Sequence, residues 1–365
     1  MNMFKHLLLF CFVLIGQLAL PQSQKGIWLT DVASKALDTK EGIEEVVARC
    51  KAYGLEHISV VVWNRGYTLY PSAVMEQEFG KKVMPRFADR DMLQELIDVA
   101  HAEGLKVHAW FEFGFSSSYQ EAHGGHILQQ KPEWKAIDNE GNLVSKNGFQ
   151  WMNAFDPEVQ EFLLSLITEV VENYDIDGIQ GDDRLPANPA TAGYDAGTLS
   201  MYKQEHNGKT PPQDYKNPDW IDWRAQKLNV FAKEIYETVN SLKPEVTVTM
   251  APSIFPWSKE EYLQDWPTWV ENGWVDVIIP QVYRYNKKAY TSTLDANLEF
   301  MPAEERTNLV PGILLRVNDY SPSKRFLKRM IKANRNRGLD GEVFFFYEGL
   351  KQHDDFFNKL YSKLK

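Results

Sequence analysis

The chain has 365 residues, of which 44% are hydrophobic, so it can bury the core of one large domain or two ordinary ones. Its formal net charge of −10 argues against nucleic acid or an anionic lipid surface as the main partner. Aromatic residues make up 13% of the chain, and those left exposed would suit stacking on the apolar faces of sugar rings.

The amino terminus has the pattern of a secretory signal peptide. Lys5 and His6 precede the apolar run 7–15, which is too short for a comfortable membrane span, and small and polar residues follow. We therefore expect residues 1–23 to be removed and residues 24–365 to act in the periplasm or outside the cell, without a stable membrane anchor. Cys50 is then the only cysteine left, and its helical segment predicts a buried core residue.

From residue 25 onward, strand-like and helix-like segments alternate eight times. The strand-like apolar runs are 26–29, 57–63, 106–113, 178–181, 246–250, 275–283, 309–315 and 342–347. The segments with helical periodicity are 40–53, 91–103, 157–173, 220–242, 259–271, 287–299, 323–337 and 350–364. This alternation predicts an α/β fold, most simply a single-domain (β/α)8 TIM barrel. A doubly wound sheet is the alternative, disfavoured because no Gly-x-Gly-x-x-Gly turn follows the first strand.

The connections that follow strands are much longer than those that precede them. Residues 64–90, 114–156 and 184–219 follow strands, whereas helices lead into strands over segments as short as 103–105. Long loops therefore gather at the C-terminal face of the barrel and build a cleft there. The chain has no Gly-rich phosphate loop, no Gly-x-Ser-x-Gly elbow and no clustered Cys/His zinc pattern, so we predict neither a cofactor nor a metal site.

The most informative segment is 175–186, where the fourth strand ends in Asp182 and Asp183. A barrel strand that ends in carboxylates before a long loop is typical of catalytic groups at the C-terminal face. The alternative is a simple turn, in which Asp183 caps the loop or pairs with Arg184. Seven further strands of the same kind favour the catalytic interpretation.

Six ordered motifs resemble one known family. They are Tyr67-x-x-Tyr-Pro-Ser72, the runs 108–115 and 175–184, Trp220-x-x-Trp-Arg224, Leu263-Gln-Asp-Trp266 and the run 275–284. This pattern is similar to the bacterial glycoside-hydrolase-like family ten and extends from residue 25 to residue 347. The resemblance implies an exported glycosidase-like (β/α)8 barrel, and some members of the family are implicated in cutting cell-wall glycans.

Glycoside hydrolysis normally needs two carboxyl groups that flank the scissile bond. If Ile179 packs outward, alternation along the strand turns Gln180 and Asp182 into the barrel and Asp183 into the loop. Asp182 is therefore the first choice for the nucleophile or base, and Asp183 is the second. Glu112 ends the neighbouring strand among aromatic residues that would raise its pKa, as a general acid requires. A structural ion pair is the competing role for Glu112, and Glu348 and Asp31 are the alternative acids.

Other polar and aromatic residues at the strand ends and in the loops are candidates for binding substrate. They are Trp28, Asp31, Asn64, Arg65, Tyr70, Trp110, Asn153, Gln180, Arg184, Gln281, Tyr283, Arg284 and Glu348. Trp151 and Trp257 lie in long loops and could form flanking subsites. In contrast, Trp220, Trp223, Trp266 and Trp269 lie on helices and are predicted to be packing residues.

The sequence therefore predicts an exported hydrolase of O-glycosidic bonds in a polysaccharide, with peptidoglycan glycan strands as one candidate. Two alternatives remain. A chitinase-like, substrate-assisted hydrolase would share the motif 177–184, but Arg184 stands where those enzymes have their acidic glutamate. A non-catalytic glycan-binding barrel is the other, although it would not need Asp182, Asp183 and Glu112 together.

Overall fold

A computed structural model describes residues 24–360. Eight strands form one parallel sheet, and each strand corresponds to one of the eight predicted apolar runs. They are β1 (Lys25–Leu29), β2 (His57–Val61), β3 (Lys106–Trp110), β4 (Gly178–Asp182), β5 (Thr247–Ala251), β6 (Val277–Ile278), β7 (Gly312–Leu314) and β8 (Glu342–Phe345). Their order in the sheet is β6-β5-β4-β3-β2-β1-β8-β7.

The sheet closes between its two outer strands, β6 and β7. The amide of Val310 donates to the carbonyl of Ile278 at 2.9 Å, and the amide of Gly312 donates to that of Pro280 at 3.0 Å. These are parallel bridges, as in the rest of the ring. The predicted (β/α)8 TIM barrel is therefore confirmed.

Helices surround the barrel. They are α1 (Lys40–Ala52), α2 (Met92–Ala102), α3 (Pro157–Asn173), α4 (Pro218–Leu242), α5 (Trp266–Glu271), α6 (Lys287–Glu299), α7 (Lys324–Arg335) and α8 (Asp354–Leu360). Side-chain oxygens cap several of them, as when Asp156 accepts from the amide of Glu158 at the start of α3. The predicted packing tryptophans on α4 and α5 are buried, and so is Cys50 on α1.

Most predicted elements end a few residues earlier or later in the structure, and three of them differ in more than that. The predicted helix 259–271 is two helices, Trp257–Tyr262 and α5, because Leu263 takes a left-handed conformation with φ of 60°. The predicted strand 275–283 pairs as a ladder only over β6. The predicted helix 350–364 consists of a turn Tyr347–Leu350, a 3₁₀ turn Lys351–His353 and α8, and its last residues lie outside the described range.

The long loops at the C-terminal face carry structure of their own. Three antiparallel segments, Ser116–Tyr119, Phe149–Trp151 and Ser145–Lys146, form a small sheet after β3. Trp63–Asn64 and Tyr67–Thr68 form a β-hairpin with a two-residue turn. The turn residues Arg65 and Gly66 have φ of 51° and 78°, as a type I′ turn requires. The other elements of these loops are the helices Ala73–Phe79, Gly125–Gln130 and Ala196–Glu205 and the 3₁₀ turns Pro85–Phe87 and Pro132–Trp134, whereas the 3₁₀ turn Ala303–Asn308 leads from α6 into β7.

Two stacked imidazoles fill the barrel interior toward its N-terminal end. The rings of His57 and His108 lie 4.7 Å apart and are buried. A Cβ on Gly26 would lie 2.1 Å from the His57 ring, and one on Gly178 would lie 2.8 Å from the His108 ring. Glycine at these two positions therefore makes room for the imidazole pair.

Candidate active site

Three carboxyl groups and one guanidinium meet at the C-terminal mouth of the barrel. Asp182 is the last residue of β4, Asp183 and Arg184 follow it, and Glu112 follows β3, the neighbouring strand. Arg184 Nη1 lies 3.0 Å from Asp183 Oδ1 and 3.6 Å from Asp182 Oδ2. The same nitrogen donates to the backbone carbonyl of Glu112 at 3.2 Å, so Arg184 connects the two strand ends.

Glu112 is buried, and its environment favours the protonated form. Burial, followed by the charge of Asp31, raises the pKa of Glu112 to about 8. A hydrogen bond of 2.8 Å from Thr30 Oγ1 to Glu112 Oε2 and the charge of Arg184 oppose this rise. At neutral pH the Glu112 carboxyl therefore holds a proton that it can donate.

The two aspartates differ in how exposed their side chains are. Only 2% of the Asp182 side chain is exposed, and its Oδ1 accepts a hydrogen bond of 2.9 Å from the amide of Arg184. Burial and the neighbouring charge of Asp183 raise the pKa of Asp182 well above its usual range. Asp183 is 20% exposed, and its charge acts on Glu112, Tyr262 and Tyr283. The pairing of Asp183 with Arg184 is the one that the turn interpretation of this segment expected, and the direction of Asp183 relative to the cleft stays a prediction.

Aromatic rings enclose this cluster. The Arg184 guanidinium lies 4.4 Å from the ring centre of Phe149 and 5.4 Å from that of Phe113. Tyr283 follows β6. Its burial and the charge of Asp183 raise the pKa of its hydroxyl well above the usual range. Sequence reasoning placed Tyr283 at the site but missed Phe149, Tyr262 and Thr30, because none of them belongs to a recognisable motif.

The floor beneath the carboxyl groups is formed by residues that fill the barrel. Trp28 Nε1 donates to Gln180 Oε1, and Gln180 Nε2 donates to Thr249 Oγ1 at 3.0 Å. Gln180 does point inward as predicted, but it is fully buried and its amide is engaged in the core rather than open to substrate. Trp110 is 3% exposed, and its indole Nε1 has no hydrogen-bond partner among the described residues.

Asp31 belongs to an ion-pair network rather than to an open subsite. Its side chain is fully buried, Arg65 Nη2 lies 3.2 Å from Oδ2, and Arg86 Nη1 lies 3.7 Å from the same oxygen. Asn64 Nδ2 donates to Oδ1. Asp31, Asn64 and Arg65 thus hold the ends of β1 and β2 together, and the charge of Asp31 contributes to the raised pKa of Glu112.

Glu348, the alternative acid, lies in the helical turn after β8 and lines a cavity. Its Oε1 accepts from Ser34 Oγ at 2.8 Å and lies 3.4 Å from Lys351 Nζ. The cavity measures about 710 Å³ and is lined by polar residues, including Arg86. Asp182, Asp183 and Glu112 are not among the residues that line this cavity.

Two other predicted binding residues do not reach the cleft. Tyr70 is fully buried, and its hydroxyl donates to Glu169 Oε2 at 3.1 Å. Asn153 is buried as well; its Nδ2 donates to Thr198 Oγ1 at 3.2 Å, and its Oδ1 accepts from the amide of Phe155 at 3.1 Å. Both expectations are wrong because the long loops fold back onto the barrel and bury these polar groups.

The end of β6 contributes half-buried polar groups. Gln281 Nε2 donates to the carbonyl of Ala251 at 3.0 Å. Arg284 Nη1 donates to the carbonyl of Tyr283 at 2.8 Å, and its Nε donates to Thr293 Oγ1 at 3.0 Å. Of these residues, Tyr283 is the one whose environment includes the catalytic candidates.

Within residues 24–360, no group of three or more His, Cys, Asp or Glu side chains is arranged to hold a metal ion. His126 makes a 2.8 Å hydrogen bond with the carbonyl of Gly66. In the same range, no helix has the length and apolar character needed to cross a bilayer.

A closed eight-stranded barrel with carboxyl groups at the ends of adjacent strands is the architecture of the barrel glycoside hydrolases. The model of the family "Glycosyl hydrolase-like 10" matches residues 23–325, and the chain belongs to this family. The resemblance seen in the six motifs is thereby confirmed.

Two relatives and one solved structure show how far the similarity extends. "Glycosyl hydrolase DigH" of Escherichia coli K12 is 24% identical over 301 residues, which is 72% of this chain and 66% of that protein. "Glycosyl hydrolase YngK" of Bacillus subtilis is 25% identical over 305 residues, 74% of this chain and 56% of that one. The chain thus spans less than two thirds of the length of these relatives. The glycoside hydrolase domain of PgaB (BpsB) from Bordetella bronchiseptica superposes with a TM-score of 0.67 at 12% identity, over 92% of this chain and 97% of that domain.

Proposed function

We propose that the protein is an exported glycoside hydrolase that cleaves O-glycosidic bonds in a polysaccharide, with peptidoglycan glycan strands as one candidate. The observation that carries the proposal is the pair of unlike carboxyl groups at the mouth. Glu112 holds a proton at neutral pH, whereas Asp183 lies beside the Arg184 guanidinium and is 20% exposed. Two carboxyl groups set to opposite tasks by their surroundings are what glycoside hydrolysis uses.

In this mechanism Glu112 donates its proton to the leaving oxygen, and the carboxylate of Asp183 attacks the anomeric carbon or activates water. The assignment of Asp183 reverses the order expected from strand alternation. It is favoured because Asp182 is almost fully buried and one of its oxygens accepts from a backbone amide. Asp182 then acts as a positioning residue for the segment 182–184.

Arg184 argues against the substrate-assisted alternative. That chemistry needs an acid at position 184, and the Arg184 side chain is instead paired with Asp183 and packed on Phe149. Its charge lowers the pKa of Glu112, and it fixes the neighbouring strand end through the Glu112 carbonyl. An arginine can perform this positioning role, but it cannot protonate a leaving group.

The experiment is a substrate screen with purified residues 24–365. Peptidoglycan glycan strands with and without stem peptides, and common polysaccharides, are incubated with the protein, and new reducing ends are measured by colour reaction and mass spectrometry. A Glu112→Gln/Asp183→Asn double variant is the matched control, which should bind the same glycan without cutting it. Binding by the parent protein without turnover of any glycan would favour the non-catalytic barrel. Fractionation tests export, and full-length protein in the cytosol would contradict it.

A further inference from the structure

We propose that the outer face of α7 binds an acidic polysaccharide, a linear chain that carries carboxylate or phosphate groups. The binding surface is formed by five exposed basic side chains of this helix, which we call the basic row. They are Lys324, Arg325, Lys328, Arg329 and Lys332. The surface lies on the outer wall of the barrel, and binding there does not depend on the hydrolysis proposed above.

The segment that forms α7 concentrates positive charge in an acidic protein. Residues 323–337 hold seven of the chain's 40 Lys and Arg residues and no Asp or Glu, whereas the whole chain has a formal net charge of −10. The apolar side chains of Leu327, Met330 and Ile331 are buried against the barrel. The helical period therefore gathers the cations on the opposite, solvent-facing side of α7.

Most of the basic row is not neutralised by neighbouring acids. Lys324 pairs with Asp355 at 3.4 Å, and both side chains are more than half exposed. The other four cations form no ion pair with a carboxylate among residues 24–360. Near the end of the helix, by contrast, Arg335 lies 2.9 Å from Glu342, which is buried. The charge of the basic row is thus available to a partner, whereas that of Arg335 is used within the fold.

The placement of these cations opposes the stability of the helix itself. Lys324 and Arg325 stand in the first turn, where the helix dipole favours acidic side chains, and that turn contains no acid. Like charges also stand four positions apart, and such pairs repel each other along a helix face. These pairs are Lys324 with Lys328, Arg325 with Arg329, and Lys328 with Lys332. Unfavourable local choices of this kind are expected where a binding function requires them.

A further lysine extends the surface onto α8. Lys324, Lys328 and Lys359 line one cavity of about 450 Å³, which Asp355 and Phe356 also line. Ammonium groups can bind a carboxylate or phosphate group, and the apolar carbons beside them suit the face of a sugar ring. This end of the surface can therefore hold one acidic sugar unit, while the rest of the row contacts the chain that continues from it.

The narrow shape of the charged surface favours a linear partner over a flat one. From Lys324 to Lys332 the row runs about 12 Å along the helix. Exposed acids lie on both neighbouring helices. They are Asp295 and Glu299 on α6 and Asp354 and Asp355 on α8. A flat anionic bilayer would approach these acids as well, and α7 exposes no apolar side chain that could insert.

The composition of the exposed face also favours a polysaccharide over a nucleic acid. Single-stranded nucleic acids are held by stacking of their bases on aromatic rings as well as by charge. The one aromatic residue of α7 is Phe326, which is half-buried and packs on the core. A chain of acidic sugars needs no such rings, because cations along one line match its regularly spaced negative groups.

The test measures binding by titration calorimetry at several salt concentrations. Polygalacturonate supplies carboxylates, phosphomannan supplies phosphates, and dextran is the neutral control. The parent protein should bind at least one acidic polysaccharide and not dextran, and its affinity should fall as salt rises. The variant Arg325→Gln/Lys328→Gln/Arg329→Gln/Lys332→Gln should bind roughly 10-fold or more weakly and show a shallower salt dependence.

A matched control separates the basic row from net charge. Lys81→Gln/Lys82→Gln/Lys203→Gln/Lys209→Gln removes the same charge from exposed lysines in the loops after β2 and β4 and should bind as the parent does. The α7 variant should melt no lower than the parent, because it removes repulsion within the helix. If it does not fold, Arg325→Gln/Arg329→Gln should show a smaller loss of affinity in the same direction.

Three outcomes would overturn the proposal. The first is a parent protein that binds neither acidic polysaccharide, and the second is an equal loss of affinity in the α7 variant and in the control. The third is α7-dependent binding of anionic phospholipid vesicles or single-stranded DNA that is tighter than that of both polysaccharides, since the partner would then belong to another class. Loss of affinity in the α7 variant alone supports the proposal whether or not the protein cuts any glycan.

Discussion

Thr30, the first residue after β1, donates a hydrogen bond of 2.8 Å to Glu112 after β3, across the strand that lies between them. This bond favours the ionised carboxylate and so works against the burial that raises the pKa of Glu112. The same hydroxyl accepts from the amide of Val32 at 3.1 Å, which fixes its position. The Thr30 hydroxyl thereby limits how far the pKa of Glu112 is raised.

Thr30→Val removes this hydroxyl with little change in shape. We expect the alkaline limb of the pH–rate profile to move upward by about one pH unit, because a hydrogen bond to the charged form is lost. Thr30→Ser retains a hydroxyl and should leave the limb in place. A limb that moves downward in Thr30→Val would show that the bond favours the protonated carboxyl instead.

Glu112→Gln tests the acid directly. This variant should lose the alkaline limb and slow natural glycans severely, while sparing aryl glycosides, whose leaving groups need little protonation. Glu348→Gln is the matched control. Glu348 is engaged by Ser34 and Lys351, so its substitution should leave both substrate classes near parent rates. If Glu348→Gln is the variant that discriminates between leaving groups, the acid comes from the end of β8.

Glu112→Gln also has an expected effect on stability. The folded-state pKa of Glu112, about 8, lies above its value in an unfolded chain, so the protein loses stability as pH rises from about 4.5 through 8. A glutamine cannot ionise. The variant should therefore melt at a higher temperature than the parent at pH 9, and the difference should shrink at pH 5.

The roles of Asp182 and Asp183 can be separated by two amide substitutions. Asp183→Asn should lower turnover by orders of magnitude, because the amide can neither attack nor accept a proton well. Asp182→Asn should keep more activity, since this buried group contacts the amide of Arg184. Turnover rates of both variants on the same glycan show which aspartate is the nucleophile or base. A larger loss of turnover in Asp182→Asn would instead make Asp182 the nucleophile or base, as strand alternation predicts.

Acid stability should depend on the imidazole pair. Burial lowers the pKa of His57 to about 4 and that of His108 well below its usual range. Between pH 6.5 and 4 an unfolded chain binds protons that folded His57 does not, so stability is lost as pH falls through this window, on the order of 3 kcal/mol for His57 alone. His57→Phe keeps a ring and should flatten the loss, measured as melting temperature against pH. Replacing exposed His123 by Ala should not change the slope.

The sequence predicted the barrel because periodicity and strict alternation are local properties that survive into the fold. The predicted strand 275–283 is longer than β6 because Pro280 has no amide hydrogen to donate to a ladder. The candidate acids were found because parallel strands bring their carboxyl ends to one face. The side chains that pair with these carboxyl groups could not be predicted in the same way. Arg86, which pairs with Asp31, comes from a loop far along the chain, and the Thr30–Glu112 hydrogen bond spans 82 positions. Tyr70 and Asn153 were misplaced because loop polarity does not reveal how a loop folds back.

The fit of Gly26 against His57 and of Gly178 against His108 has an evolutionary consequence. Each glycine sits on a strand beside its imidazole, and neither could gain a methyl group unless the facing ring became smaller. Among homologues we therefore expect these positions to co-vary as two pairs, with alanine or larger at 26 or 178 accompanied by a shorter side chain at 57 or 108. A homologue that combines alanine at position 26 with histidine at position 57 would have to move the backbone of its first two strands apart.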